Sequence, residues 1–156
     1  MFICGMEPLA APTLAPGQLL ARGVARHLEG LGFRSLFEVV PTRGLRVDVM
    51  ALGPKGEIWV VECKSCRADF AADRKWQGYL PWCDRFFWAV DADFPQEVLP
   101  AEGGLILADA YDAAIIRMPA EAALAAARRK AMTLRFARTS SERLQRALGV
   151  TDPGLI

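Results

Sequence analysis

Residues 46–65 read RVDVMALGPKGEIWVVECKS, and their alternation decides the fold. Two runs rich in Val, Ile, Met and Trp, 45–52 and 57–63, flank Pro54-Lys55-Gly56. A three-residue connector with Gly last suits a type I turn closed by a left-handed residue and a bulge, so the two runs form a hairpin. A third run, 35–40, precedes them across Thr42-Arg43-Gly44, a connector of the same kind. The stretch therefore predicts a three-stranded antiparallel meander.

The two connectors also predict the register. If Gly53 opposes Glu57, then Asp48 lies opposite Glu62 and Arg46 opposite Lys64. If Pro41 opposes Leu45, then Glu38 lies opposite Asp48. Glu38, Asp48 and Glu62 become one row across three strands, with Lys64 two residues further along the same face. Neighbouring strands are only about 4.8 Å apart, and like charges directly opposed are destabilising. Such a row calls for a cation, and oxygen-only donors favour a hard ion, Mg²⁺ or Mn²⁺, over zinc. Val40, Met50, Leu52, Ile58 and Val60 continue the same face, while Val47, Val49, Trp59 and Val61 line the other. A sheet apolar on both faces with acids gathered at one end is an active-site arrangement. A solvated face on which Glu38, Glu62, Arg46 and Lys64 merely pair does not account for that apolar continuation.

Working outward, Leu19, Leu20, Val24, Leu28 and Leu31 recur at helical spacing from Pro16, and Gly30 and Gly32 close that helix. A helix is expected from Asp69 to about Tyr79, then a strand buried on both faces at 85–90 (RFFWAV). A strand–helix–strand order implies a right-handed crossover, so this fourth strand runs parallel to the third. Short strands follow at 105–108 and 114–118. An Ala- and Arg-rich helix extends from 119 to about 148, with a break near Thr139-Ser140-Ser141. Residues 1–16, rich in Pro and Ala, are expected to form a flexible arm, and residues 17–152 a single domain.

Composition narrows the class. The 156 residues are 53% hydrophobic and 24% charged, which excludes a disordered chain. No apolar run approaches a membrane span, and the N-terminus lacks the basic segment of a secretion signal, so a cytoplasmic protein without membrane contact is expected. Net charge is +1, but residues 121–152 carry seven cations against three anions. Arg128, Arg135 and Arg138 in that segment are candidate phosphate contacts. The four cysteines include Cys63-x-x-Cys66, yet only Cys4, Cys83 and the lone His27 could complete a zinc site, so reduced structural thiols are the better reading. Trp76, Tyr79, Trp82 and Trp88 read as core rather than as base-stacking platforms.

Asp48, thirteen residues, then Glu62-Cys63-Lys64 resembles the signature of the PD-(D/E)XK nuclease superfamily. The expected order matches its αβββαβ core, an α/β fold with a mixed sheet, here followed by C-terminal helices. More narrowly, RVDVMALGPKGEIWVVECKS, the following DFAADRKWQGYLPWCDRFFWAV, GLILADAYDAAIIR and LRFARTSSERL are similar to the MmcB family of bacterial DNA repair proteins. The resemblance implies that Asp48, Glu62 and Glu38 hold Mg²⁺ or Mn²⁺ and that Lys64 completes the catalytic set. It implies DNA as the partner and phosphodiester hydrolysis as the reaction. Lys75 and Gln77 are candidates for the polar residue that the superfamily places near the site from the next helix. Arg67 and Arg74 at that helix, with Arg46 beside the acids, are candidate DNA contacts. Val47 stands where the nominal motif has Pro. The rival readings are a DNA-binding or scaffold protein of repair without the chemistry, and an RNA-directed nuclease.

Overall fold

The computed structural model describes residues 13–73 and 75–150. A six-stranded mixed sheet runs in chain order: β1 (Arg34–Thr42), β2 (Leu45–Leu52), β3 (Ile58–Lys64), β4 (Arg85–Val90), β5 (Gly104–Ala108) and β6 (Ala113–Arg117). β1, β2 and β3 are antiparallel, β4 and β5 continue parallel to β3, and β6 returns antiparallel. Helix α1 (Pro16–Gly30) precedes the meander, α2 (Arg67–Ala72) follows β3, and α3 (Ala126–Ala147) closes the chain. The αβββαβ order is thus present in full. Of the arm expected at residues 1–16, residues 1–12 lie outside the described residues, and Pro16 already belongs to α1, where its fixed φ suits the first turn.

Both faces of the sheet are buried. Leu20, Ala21, Val24 and Leu28 of α1 pack on Val49, Ala51, Trp59, Val61, Phe87 and Ile106. On the other face Met132 and Phe136 of α3 pack with Met50, Ile58, Val60, Phe86 and Trp88. Alternation along β4 sends Phe87 and Ala89 to one layer and Phe86 and Trp88 to the other, as its unbroken apolar run requires. α1 lies so close to the β5–β6 connector that a Cβ on Gly23 would come within 2.0 Å of the Asp109 carbonyl oxygen.

The second connector forms as expected: the Gly53 N–H donates to the Glu57 carbonyl at 2.8 Å, and Gly56 takes a φ of +86°. The first is tighter than expected. Thr42, not Pro41, pairs with Leu45, leaving Arg43-Gly44 as the turn, and the register shifts between Val39 and Thr42. Beyond that shift the expected pairing holds, with Val39 opposite Val47 and Phe37 opposite Val49.

Three other expectations are corrected. The helix expected from Asp69 to Tyr79 is two pieces, α2 and a 3-10 segment Trp76–Trp82, because Asp73 is extended (φ −85°, ψ 93°) and Gly78 and Pro81 oppose a continuous α-helix. The C-terminal helix starts only at Ala126 and is unbroken at Ser140, whose hydroxyl donates to the Phe136 carbonyl one turn back. Val47 does not share a layer with Val49; it packs with Val39, Leu45 and Met50 against the α3 side.

α3 is fastened by a buried acid that the sequence reading passed over. Asp84, 2% exposed, accepts the Ile58 and Leu124 amides at 2.8 Å each and a two-pronged contact from Arg129 at 2.6 and 2.7 Å. Burial alone would raise its pKa, but Arg129 and the two amides hold it below the ordinary aspartate value.

Candidate active site at the splayed end of the meander

The β2–β3 ladder pairs Leu52 with Ile58 and ends at Val49 opposite Val61. One residue further, the side chains of Asp48 and Glu62 take over the role of the backbone. The Asp48 N–H donates to Glu62 Oε1 at 3.0 Å, and the Cys63 N–H donates to Asp48 Oδ2 at 2.8 Å. The strands part here because each carboxylate is wedged against the other strand's amide. Asp48 therefore faces Glu62, as the connector arithmetic required.

Glu38 stands differently from the expected row. Its φ of 53° lies in the left-handed region, which is costly for a residue with a Cβ. This reversal, with the parting at Asp48, is why Phe37 and Val49 pack toward α1 while Val39 and Val47 pack toward α3. Guanidinium nitrogens of Arg143 on α3 reach the Phe37 and Glu38 carbonyls and brace the reversal.

Two adjoining cavities result. One, of about 550 Å³, is bordered by Glu62, Lys64, Asp73 and Tyr79. The other, of about 610 Å³, is bordered by Glu38, Gln18, Arg22 and Ser65. Asp48, Arg46, Cys63 and Asp69 border both. The single row is thus corrected to a bent one: Glu38 and Glu62 open into different cavities, and Asp48 joins them.

The electrostatics mark a site short of positive charge. Burial, reinforced by the Asp48 charge, pushes the Glu62 carboxyl up to about 8. Burial also raises Asp48, against the Cys63 amide and the Lys64 and Arg46 charges, which lower it. Lys64 is not free: its Nζ lies 2.9 Å from Asp73 Oδ2, with both side chains nearly buried. Burial would lower its pKa, but the bond and charge of Asp73 raise it above the usual lysine value. The Tyr79 hydroxyl, which donates to the Arg46 carbonyl at 3.2 Å, is also pushed up by burial and the neighbouring carboxylates.

Two carboxylates with raised pKa values, side by side and open to a cavity, suit a hard divalent cation in donor chemistry. Among the described residues no three His, Cys, Asp or Glu side chains gather closely enough to hold an ion alone.

The other candidates scatter. Arg46 is exposed beside Asp48, and Arg67 is exposed at the first turn of α2. Lys75 and Gln77 are exposed but border neither cavity; the break at Asp73 turns them away and brings Asp73 and Tyr79 in instead. Arg74 lies outside the described residues. Arg128 lies 3.9 Å over the Trp82 ring and donates to the Pro81 carbonyl, so its guanidinium docks α3. Arg135 and Arg138 are exposed on α3 and border neither cavity. Asp69 accepts both the Ser65 hydroxyl at 2.6 Å and the Ser65 amide, which steadies the exit from β3. Asp73 is the partner of Lys64. The run of Gly78 and Pro81 was the available signal that no long helix could carry Gln77 inward. Cys63 and Cys83 are buried free thiols and Cys66 is an exposed one.

No helix among the described residues is long and apolar enough to cross a membrane. The sequence profile of the family described as DNA repair protein MmcB-like matches residues 13–151. A solved protein of unknown function from Silicibacter pomeroyi is 64% identical, with 92% of this chain and 98% of that one aligned and a TM-score of 0.88. A repair endonuclease from Pyrococcus abyssi aligns with 56% of this chain and 41% of its own, at 18% identity and a TM-score of 0.33. No curated protein matches.

Proposed function

Because the chain belongs to the MmcB-like family of DNA repair proteins, we propose that it is a nuclease that hydrolyses DNA phosphodiesters at the cleft of Asp48, Glu62 and Lys64. The observation that carries this reading is the reciprocal seating of Asp48 and Glu62 at the parted end of β2 and β3, with Lys64 on the same cavity wall. Asp48 and Glu62 would hold Mg²⁺ or Mn²⁺, with Glu38 acting on Asp48 from the second cavity. The ion, when bound, supplies Lewis-acid activation of water and charge stabilisation on the phosphoryl group.

The chain's own groups have separate tasks. Asp48 and Glu62 are fixed by the Cys63 and Asp48 amides, so their orientation costs little on binding. Lys64 is held as a cation at neutral pH by Asp73 and so serves as no base. Its ammonium instead neutralises charge that develops on the phosphate, or orients the attacking water. Arg46, exposed at the shared wall of both cavities, would contact a neighbouring phosphate.

A DNA-binding protein of repair that does not cut is the second reading, and the Lys64–Asp73 ion pair favours it, because it occupies the one cation of the motif. Incubation of the whole protein with Mg²⁺ or Mn²⁺ and a panel of duplex, branched and single-stranded DNAs decides. Metal-dependent cleavage that is lost in Lys64→Ala supports the nuclease. Absence of cleavage on every substrate in both metals removes it.

A further inference from the structure

The cavity on the α1 side of the carboxylates continues into a groove between α1 and β1. This groove, of about 320 Å³, shares Arg22 and Phe37 with the larger cavity that reaches Glu38 and Asp48. Its walls carry Arg22, Arg26 and Arg34 against one acid, Glu29. Three arginines bordering one groove are a stronger signal than the same number spread along a solvated helix, because their fields reinforce one another there.

Each arginine retains binding capacity. Arg26 donates one nitrogen to the Ala110 carbonyl at 2.9 Å, and Arg34 one nitrogen to the carbonyl of its neighbour Phe33 at 2.9 Å. Arg22 lies 5.9 Å from the Phe37 ring centroid and engages no acid among the described residues. A guanidinium has five N–H donors, so most remain for an oxyanion. Ser35 also borders the groove, and its hydroxyl is buried with no hydrogen-bond partner among the described residues. Such a group is costly to leave unpaired, and a phosphate oxygen would satisfy it once the groove wall opens to the hydroxyl.

We propose that the α1–β1 groove of Arg22, Arg26, Arg34 and Ser35 is a track for the phosphates of a DNA strand, leading into the carboxylate cleft. The inference rests on the reading of DNA as partner, and it places the contacts on the first helix and the edge strand. It places them elsewhere than on the basic C-terminal helix, where Arg128 lies against the Trp82 ring and Arg129 is paired with Asp84.

The test is binding of a labelled DNA duplex to the whole protein in chelator, followed by anisotropy over a salt series. Each phosphate contact contributes about −0.9 to the slope of log affinity against log salt. Arg26→Ala with Arg34→Ala should lower the magnitude of that slope by roughly 1.8, whereas Arg135→Ala with Arg138→Ala should leave it unchanged. Ser35→Ala should bind about threefold or more weakly while melting at or above the wild-type temperature, because it removes an unpaired buried hydroxyl. If the double variant does not fold, Arg34→Ala alone carries the test with a change of about 0.9, since its one contact is a neighbouring carbonyl. An unchanged slope in the Arg26/Arg34 variants overturns the track, as does a change confined to Arg135/Arg138. Displacement of DNA by inorganic phosphate at matched ionic strength also overturns it and assigns the groove to a small anion. A lowered slope without cleavage in any metal supports the track and sinks the nuclease. Cleavage with an unchanged slope does the reverse.

Discussion

Asp48 and Glu62 are seated on each other: Asp48 gives its amide to Glu62 Oε1 at 3.0 Å while its own carboxylate takes the amide of Cys63. Two acids are thereby forced together, Glu62 buried and Asp48 half-buried, and their repulsion is built into the metal-free protein. A carboxyl whose folded pKa exceeds its unfolded value contributes stability below the unfolded value and loses it as pH rises through the folded one. For Glu62 that window runs from the ordinary 4.5 up to about 8. In chelator, wild-type melting temperature should fall across this window, and Glu62→Gln should flatten the fall. Each kcal/mol relieved appears as about 2–4 °C at this chain length. Added Mn²⁺ should raise wild-type melting, with the rise much reduced in Glu62→Gln and Asp48→Asn. Thermal melts of the three proteins at several pH values, with and without metal, provide the check; a wild type indifferent to Mn²⁺ argues against a self-contained metal site.

Lys64 owes its position to Asp73. Lys64→Ala should abolish cleavage with the metal-dependent melting shift intact. Asp73→Asn should slow single-turnover cleavage by about tenfold, the equivalent of roughly 1.4 kcal/mol in the barrier, because the ammonium loses its anchor. Faster cleavage by Asp73→Asn would show instead that the ion pair withholds Lys64 from the substrate.

Glu38 is held at a φ that glycine adopts without cost. Glu38→Gly should therefore stabilise the protein by about 1 kcal/mol while weakening the metal response or the cleavage. Urea unfolding alongside the activity assay separates the two effects. A destabilised Glu38→Gly would mean that its side chain, not its backbone, holds the bend.

Asp84→Ala leaves Arg129 without its partner and the Ile58 and Leu124 amides without acceptors. It should cost about 3–5 kcal/mol, read from the urea midpoint. Because the folded pKa of Asp84 is lowered, the stability it contributes is present above the ordinary aspartate value near 3.8 and is lost as pH falls through the folded value. The wild-type loss in acid should be smaller in Asp84→Ala.

The direction of β4 was legible from the right-handed crossover rule, and the meander and the confrontation of Asp48 with Glu62 were legible for a common reason. Strand alternation has a period of two, and a connector ending in glycine pins where the count begins. Counting from Pro54-Lys55-Gly56 was enough. The same counting placed Glu38 opposite Asp48, yet it could not show that Glu38 turns into a left-handed conformation, which sends Val39 and Val47 to the opposite layer from Phe37 and Val49.

What the sequence determined by itself is therefore local: the strands, their register, and two acids with a lysine beyond them on one strand. Tertiary structure decided the partners of those groups. Asp73 reaches Lys64 only because the chain stops being helical between α2 and the 3-10 segment, and Asp84 receives Arg129 across 45 residues of chain. Arg128 was laid against the face of Trp82, while Arg22, Arg26 and Arg34 were brought to the border of one groove by the docking of α1 on β1. Periodicity reports which way a side chain points from its own element. Which charge it then meets depends on how the elements pack, through contacts between residues distant in the chain.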